Sequence, residues 1–147
     1  MLASFPKTAA ERVAERFLIE AATPTYTAIF LDDTSKRRLL MWWRTTVRKP
    51  LLPVIFADHV TLKFRPSKAE VEKTPVGENA LVQVIGFAED EKGQAVLVRP
   101  SISSSNRMPH VTISTAHGVN PIYSNPLLEK GYTRKTGPIL RGVVDYR

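Results

Sequence analysis

The chain has 147 residues, no cysteine, and 21 Lys and Arg against 14 Asp and Glu, a formal net charge of +7. That length suits one domain spanning 1–147, and a composition 43% hydrophobic and 24% charged is that of a globular chain rather than a disordered one. Without cysteine there is no disulfide framework, zinc–thiolate site, iron–sulfur cluster or thiol nucleophile. No apolar run reaches the roughly 20 residues of a membrane-crossing helix, and the start MLASFPKTAAERVAERF lacks the basic-then-apolar order of a secretory signal, so a cytoplasmic location is expected.

Residues 8–20 are predicted as an amphipathic helix, with Ala10, Val13, Phe17 and Leu18 on one face and Glu11, Arg12, Glu15 and Arg16 on the other. Thr23-Pro24 ends it, and the β-branched and aromatic run 26–31 is predicted as a strand. Asp32 to Ser35 supply a turn and an N-cap for a second helix over 35–47. Leu39, Leu40, Trp42 and Trp43 furnish its buried stripe, with at most one of the adjacent tryptophans facing inward. Pro50 and Pro53 stop that helix, 54–64 is predicted as one strand, and the polar stretch 65–79 as a connecting loop. Segments 80–90 and 93–100 form a hairpin turning at Asp90-Glu91-Lys92-Gly93. A polar loop (101–109) leads to a strand at 110–115, then to a short helix near 125–130 capped by Ser124 and stopped by Gly131, and 139–147 closes the chain as a strand. Five or six strands with two or three helices, lacking βαβ alternation and a Gly-rich phosphate fingerprint, predict an α+β domain with antiparallel strands and helices packed outside.

Histidine is scarce, at positions 59, 110 and 117 only. Two of the three open the same pattern: His59-Val60-Thr61-Leu62 and His110-Val111-Thr112-Ile113. Alternate side chains of a strand share a face, so each segment presents an imidazole beside a hydroxyl while the interleaved aliphatics point into a core. One structural alternative is a pair of strand-end histidines satisfying local hydrogen bonds, with threonine present because strands favour it. The chemical reading is phosphodiester cleavage, which needs a base on one side of phosphorus and an acid on the other. An imidazole's ordinary pKa near 6.5 lets one histidine be neutral and the other protonated at cellular pH. The threonine hydroxyls then donate to non-bridging phosphate oxygens. This chemistry requires no metal or other cofactor, and Asp58 is expected to face away from His59, so no carboxylate accompanies both imidazoles as a ligand.

The paired H-x-T strands resemble the two-histidine (2H) phosphoesterase superfamily. The stretch PHVTISTAHGVNPIYSNPLLEKG (109–131) is similar to the segment around the second motif in the cyclic phosphodiesterase domain of fungal-type tRNA ligases and related phage and bacterial RNA-repair proteins. There the second H-x-T strand runs into a small-residue loop, then a proline, then a Ser-Asn that opens a helix. The resemblance covers roughly residues 25–147. It implies a bilobed α+β fold, with two antiparallel sheets flanking a central cleft, helices packed outside and one H-x-T strand on each sheet. It also implies that His59 and His110 are the acid/base pair and that Thr61 and Thr112 bind the phosphate. The implied substrates are 2′,3′-cyclic phosphate RNA ends, or short 2′–5′ or 3′–5′ linked oligonucleotides. The two histidines lie close in sequence for that superfamily, so the lobe between them is expected to be pared down.

Other residues are weighed beside these. Lys63 falls on the face of His59 and Thr61, as a phosphate contact or as a snorkelling strand-edge lysine. Tyr123, in the loop after the second motif, is a candidate to stack on a base, whereas Tyr26 is assigned to a sheet face. His117 is either a substrate contact or an exposed loop histidine. The Ser103–Arg107 loop and the basic second helix (Lys36, Arg37, Arg38, Arg44, Arg48, Lys49) suit backbone contact or are solvated surface. The expected function is therefore a metal-independent phosphodiesterase acting on an RNA end or a small cyclic or linear oligonucleotide, with no membrane partner and the oligomeric state open. The alternatives are a phage-type nuclease degrading cyclic oligonucleotide second messengers and a non-catalytic basic RNA-binding module.

Overall fold

A computed structural model describes residues 23–147; the helix predicted over 8–20 lies outside the described residues. In chain order the elements are β1 (Tyr26–Leu31), α1 (Asp33–Trp42), β2 (Val54–Ile55), β3 (His59–Phe64), α2 (Lys68–Lys73), β4 (Asn79–Glu89), β5 (Gly93–Pro100), β6 (His110–Thr115), α3 (Ser124–Glu129), β7 (Thr133–Arg134) and β8 (Ile139–Tyr146).

Helix α1 starts earlier than predicted because Asp32, the first residue of the predicted turn, caps it: its Oδ1 accepts the Ser35 N–H at 2.7 Å. It continues through one π-helical turn, Trp43–Val47, and stops at Arg48 in the left-handed region (φ 61°). Trp43 is fully buried and its Nε1 donates to the Lys49 carbonyl at 2.9 Å. Trp42 is partly buried against the same core and meets Phe87 edge-on, so both tryptophans pack inward where one was expected. The predicted strand 54–64 is broken at Phe56–Asp58, where Ala57 takes a positive φ of 56°. The predicted loop 65–79 contains α2, whose capping box joins Ser67 and Glu70 reciprocally.

The bilobed α+β arrangement with two sheets flanking a cleft is not what the chain forms. Strands β6, β3, β1, β8, β4 and β5 pair in that order, all antiparallel, and β5 pairs back onto β6, closing a six-stranded barrel. The short β2 and β7 add to β6 and β4. The physical reason is that β8 bonds to both β1 and β4, while β6 bonds to both β3 and β5. No free edge is then left between two halves, and closure is how an antiparallel sheet disposes of its unpaired edges. Register shifts at Thr27/Ala28, Val84/Gly86 and Gln94/Ala95 supply the local bends that such curvature needs.

One core cluster takes residues from all six barrel strands, among them Ile29, Val60, Val82, Val96, Val111, Leu140 and Val144, and α1 adds Leu39, Trp43 and Val47. A second cluster (Ala88, Ala95, Leu97, Leu127, Leu128) packs α3 on the other face of β4 and β5. Strand β5 is therefore buried on both faces along most of its length.

At the β1–β8–β4 seam, Gly142 stands opposite Leu31 on one side and Ala80 on the other. A Cβ there would lie 2.5 Å from the Phe30 carbonyl oxygen and 2.6 Å from Ile29 Cγ2. Because the first neighbour is backbone, Gly142→Ala forces the seam apart and is expected to cost about 1–3 kcal/mol in urea unfolding.

Candidate active site

Strands β3 and β6 meet at one register pair, Val60 opposite Val111. Both valines are fully buried, as are the next apolar residues, Leu62 and Ile113, or nearly so. The alternation inferred from the sequence therefore holds: His59, Thr61, His110 and Thr112 stand half-buried on the face turned away from the core. The antiparallel register carries the histidine of each motif toward the threonine of the other. All four side chains line one cleft of about 950 Å³, together with Tyr26, Phe30, Asp58, Asn106, Asn125 and Arg147.

Each imidazole is tied down through Nδ1. His59 Nδ1 lies 2.6 Å from Asp58 Oδ1, and His110 Nδ1 lies 2.7 Å from the Met108 carbonyl oxygen. A carboxylate or carbonyl can only accept, so Nδ1 carries the proton in both rings and Nε2 is left for a ligand. The Asp58 contact corrects the expectation that this carboxylate faces away from His59. Strand alternation does not extend to Asp58, because the break at Phe56–Asp58 bonds to β6 through Phe56 N–H to Ile113 O and Ala57 N–H to Thr112 O, with Ala57 left-handed.

The hydroxyl of the second motif is held as well. Thr112 Oγ1 shares a 2.8 Å hydrogen bond with Ser124 Oγ, a nearly fully buried hydroxyl. Ser124 was expected to cap α3; it makes no side-chain cap, and its hydroxyl serves the second motif instead. The 101–109 loop is pinned to β3 by Ser104 Oγ donating to Thr61 O at 2.8 Å and Ser105 N–H donating to Leu62 O, which brings Asn106 to the cleft.

Tyr26 stacks on the His59 ring (centroids 5.1 Å apart, planes 24° apart), with Phe30 tilted against the same ring at 5.7 Å. Arg147 places its guanidinium 4.1 Å from the Phe30 centroid. The aromatic wall of the cleft is thus Tyr26 and Phe30. Tyr123, the favoured stacking candidate, has its hydroxyl bonded to Asp90, which pushes the phenol up to about 12, and its ring lies against Gly93. Lys63 pairs with Glu70 of α2 at 3.7 Å, and His117 is exposed; neither they nor Tyr123 lines the cleft. Phe30 was missed, although its spacing from Tyr26 on one strand puts both on one face. Asp58, Ser124 and Arg147 gave no separate signal as site residues. Among the described residues, no three His, Asp or Glu side chains gather to hold a metal ion.

The electrostatics separate the two histidines. Burial is the main cause holding His110 below the usual imidazole value; the Met108 hydrogen bond opposes it, and charge on His59 adds to it. The hydrogen bond with His59 holds Asp58 below the usual carboxylate range, against partial burial. A depressed imidazole favours the neutral form in the folded state. Its contribution to stability is complete above about pH 6.5 and is lost as pH falls through the lower folded value. The His110 imidazole signal is expected to titrate below about 6.5 by NMR, and the loss of urea stability between about pH 7.5 and about pH 5 is expected to be smaller in His110→Gln than in the parent. Asp58 has the same sign at lower pH, its contribution being present above the ordinary carboxylate value and lost as the depressed one is passed.

No protein-family model matches the chain, and no curated protein matches it. Among solved structures it is similar to a crystal structure described as a fungal RNA kinase, with a TM-score of 0.61 at 15% sequence identity. The match covers 95% of this chain and 49% of that one, so the chain spans about half the length of its structural neighbour. At that identity the likeness is one of fold.

Proposed function

We propose that the chain is a metal-independent phosphodiesterase of the two-histidine type, opening a 2′,3′-cyclic phosphate at an RNA end or cleaving a short 2′–5′ or 3′–5′ linked oligonucleotide. The observation that carries this is the pair of imidazoles in one cleft, each anchored through Nδ1 with Nε2 left free, and each accompanied by a threonine hydroxyl. The RNA named in the structural neighbour's description, the H-x-T resemblance and the surplus of positive charge support an RNA substrate.

His110, held neutral by burial, takes a proton from the attacking water at Nε2. The water oxygen bonds to phosphorus, and the bond from phosphorus to the ribose 2′ or 3′ oxygen breaks. As the acid, His59 holds a second proton on Nε2 while its Nδ1–H donates to the ionised Asp58, and it delivers that second proton to the departing oxygen, leaving a phosphomonoester. Thr61 and Thr112 donate to the non-bridging oxygens and share the charge that develops there. Asp58 acts through His59 as a positioning residue, and Ser124 acts in the same way through Thr112. Tyr26 and Phe30 give the base or ribose an apolar wall.

The test is turnover of a nucleoside 2′,3′-cyclic phosphate in excess chelator. The expected result is activity that survives chelation and falls by about 10²–10⁴-fold in both His59→Ala and His110→Ala. Turnover unchanged in either folded variant contradicts the two-histidine mechanism. Cleavage of cyclic oligonucleotides alone favours the second-messenger reading, and tight RNA binding without cleavage favours a binding module.

A further inference from the structure

A groove of about 530 Å³ lies apart from the histidine cleft, lined by Ile85, Arg99, Tyr132, Arg134, Lys135 and Thr136. Its cations are Arg99, Arg134 and Lys135, and none of the three forms an ion pair among the described residues. Lys63, which pairs with Glu70, shows that the surplus charge is not left bare everywhere. Here three like charges converge on one concavity, an arrangement that repels itself unless an anion is brought in.

The groove rests on paired backbone. Arg99 lies on β5 opposite Gln83, and Arg134 lies on β7 opposite Gly86 of β4. The Lys135 N–H donates to the Ile85 carbonyl at 3.1 Å. Gly86 is what lets the Tyr132–Thr133 backbone lie flat on β4: a Cβ there would meet Thr133 O at 2.8 Å and the Tyr132 ring at 3.0 Å. The Tyr132 ring is thereby seated on one side, yet the residue is still 38% exposed. A seated aromatic ring among cations is the arrangement on which a base stacks while the flanking phosphates are neutralised.

Its position fits a strand passing the cleft. Directly paired residues share a sheet face, and Leu97 of β5 pairs with His110, so Arg99, two residues on, is on the face that carries the histidines. Strands lie about 4.8 Å apart, so β4 and β7 stand roughly 10–15 Å to the side of β6, a distance a few nucleotides span. We infer that Arg99, Tyr132, Arg134 and Lys135 form a second, non-catalytic site that binds the backbone and one base of a single-stranded nucleic acid. This goes beyond the proposed hydrolysis and stands or falls separately from it.

The experiment measures anisotropy of a fluorescein-labelled oligouridylate twelve-mer against the full chain over a salt series. In Arg99→Gln/Arg134→Gln/Lys135→Gln the affinity is expected to fall by about tenfold or more at low salt, with the slope of log affinity against log salt shallower by about 2. Tyr132→Leu, which keeps every charge, is expected to lose about fivefold or more with the slope unchanged. His59→Ala/His110→Ala is expected to keep the slope of the parent. Parent-like affinity in the triple variant overturns the site. So does displacement of the RNA by an oligoglutamate of equal charge as readily as by unlabelled oligouridylate, since the groove would then read an acidic peptide as well as a nucleotide strand.

Discussion

The site depends on the meeting of β3 and β6 at Val60 and Val111. Both valines are fully buried in the core shared by the six barrel strands. Because side chains alternate along a strand, burying those two residues turns His59, Thr61, His110 and Thr112 to the opposite face. A slip of one residue would exchange them for Val60, Leu62, Val111 and Ile113, exposing apolar surface and burying imidazoles. The core that stabilises the barrel therefore also fixes the placement of the four side chains, and neither motif can move without the other. The same pairing explains why the site needs so little else. Two copies of one four-residue pattern, run antiparallel, place a histidine and a threonine on each side of a shared gap.

Much of this was written into local pattern. The alternation in His59–Leu62 and His110–Ile113, the hairpin turning at Asp90–Gly93 and the closing strand all depend on neighbours in sequence, and these elements formed as expected. The closure of the barrel was not legible. It rests on β8 choosing both β1 and β4 as partners, a pairing between segments more than 50 residues apart that leaves no local mark. The missed helix α2 is a different case, since Ser67 and Glu70 carry a capping signal that prolines on either side obscured.

The supporting residues of the site were hidden for a related reason. Asp58 was assigned to the wrong side because strand geometry was extended across 54–64, whereas Ala57 breaks the strand and swings the carboxylate onto His59. Tyr123 was preferred over Tyr26 because it follows the second motif, yet Asp90 claims its hydroxyl and β5 its ring. Tyr26 instead borders the cleft, since β1 pairs with β3 and carries its residues alongside His59. For both tyrosines the decisive partner is near in space through the barrel and unmarked in the sequence; for Asp58 the cause is the local break at Ala57.

The two imidazoles differ in surroundings more than in sequence: His59 is beside an ionised carboxylate, and His110 is held by a neutral carbonyl and lowered by burial. In the proposed mechanism that asymmetry separates the acid from the base. The central claim, that both rings address one phosphate, is tested most directly by NMR titration with uridine 2′-monophosphate or 3′-monophosphate while the His59 and His110 ring signals are followed. Both signals are expected to shift together with one saturation curve. A shift confined to one ring, or two curves with different midpoints, would contradict a single phosphate held between them.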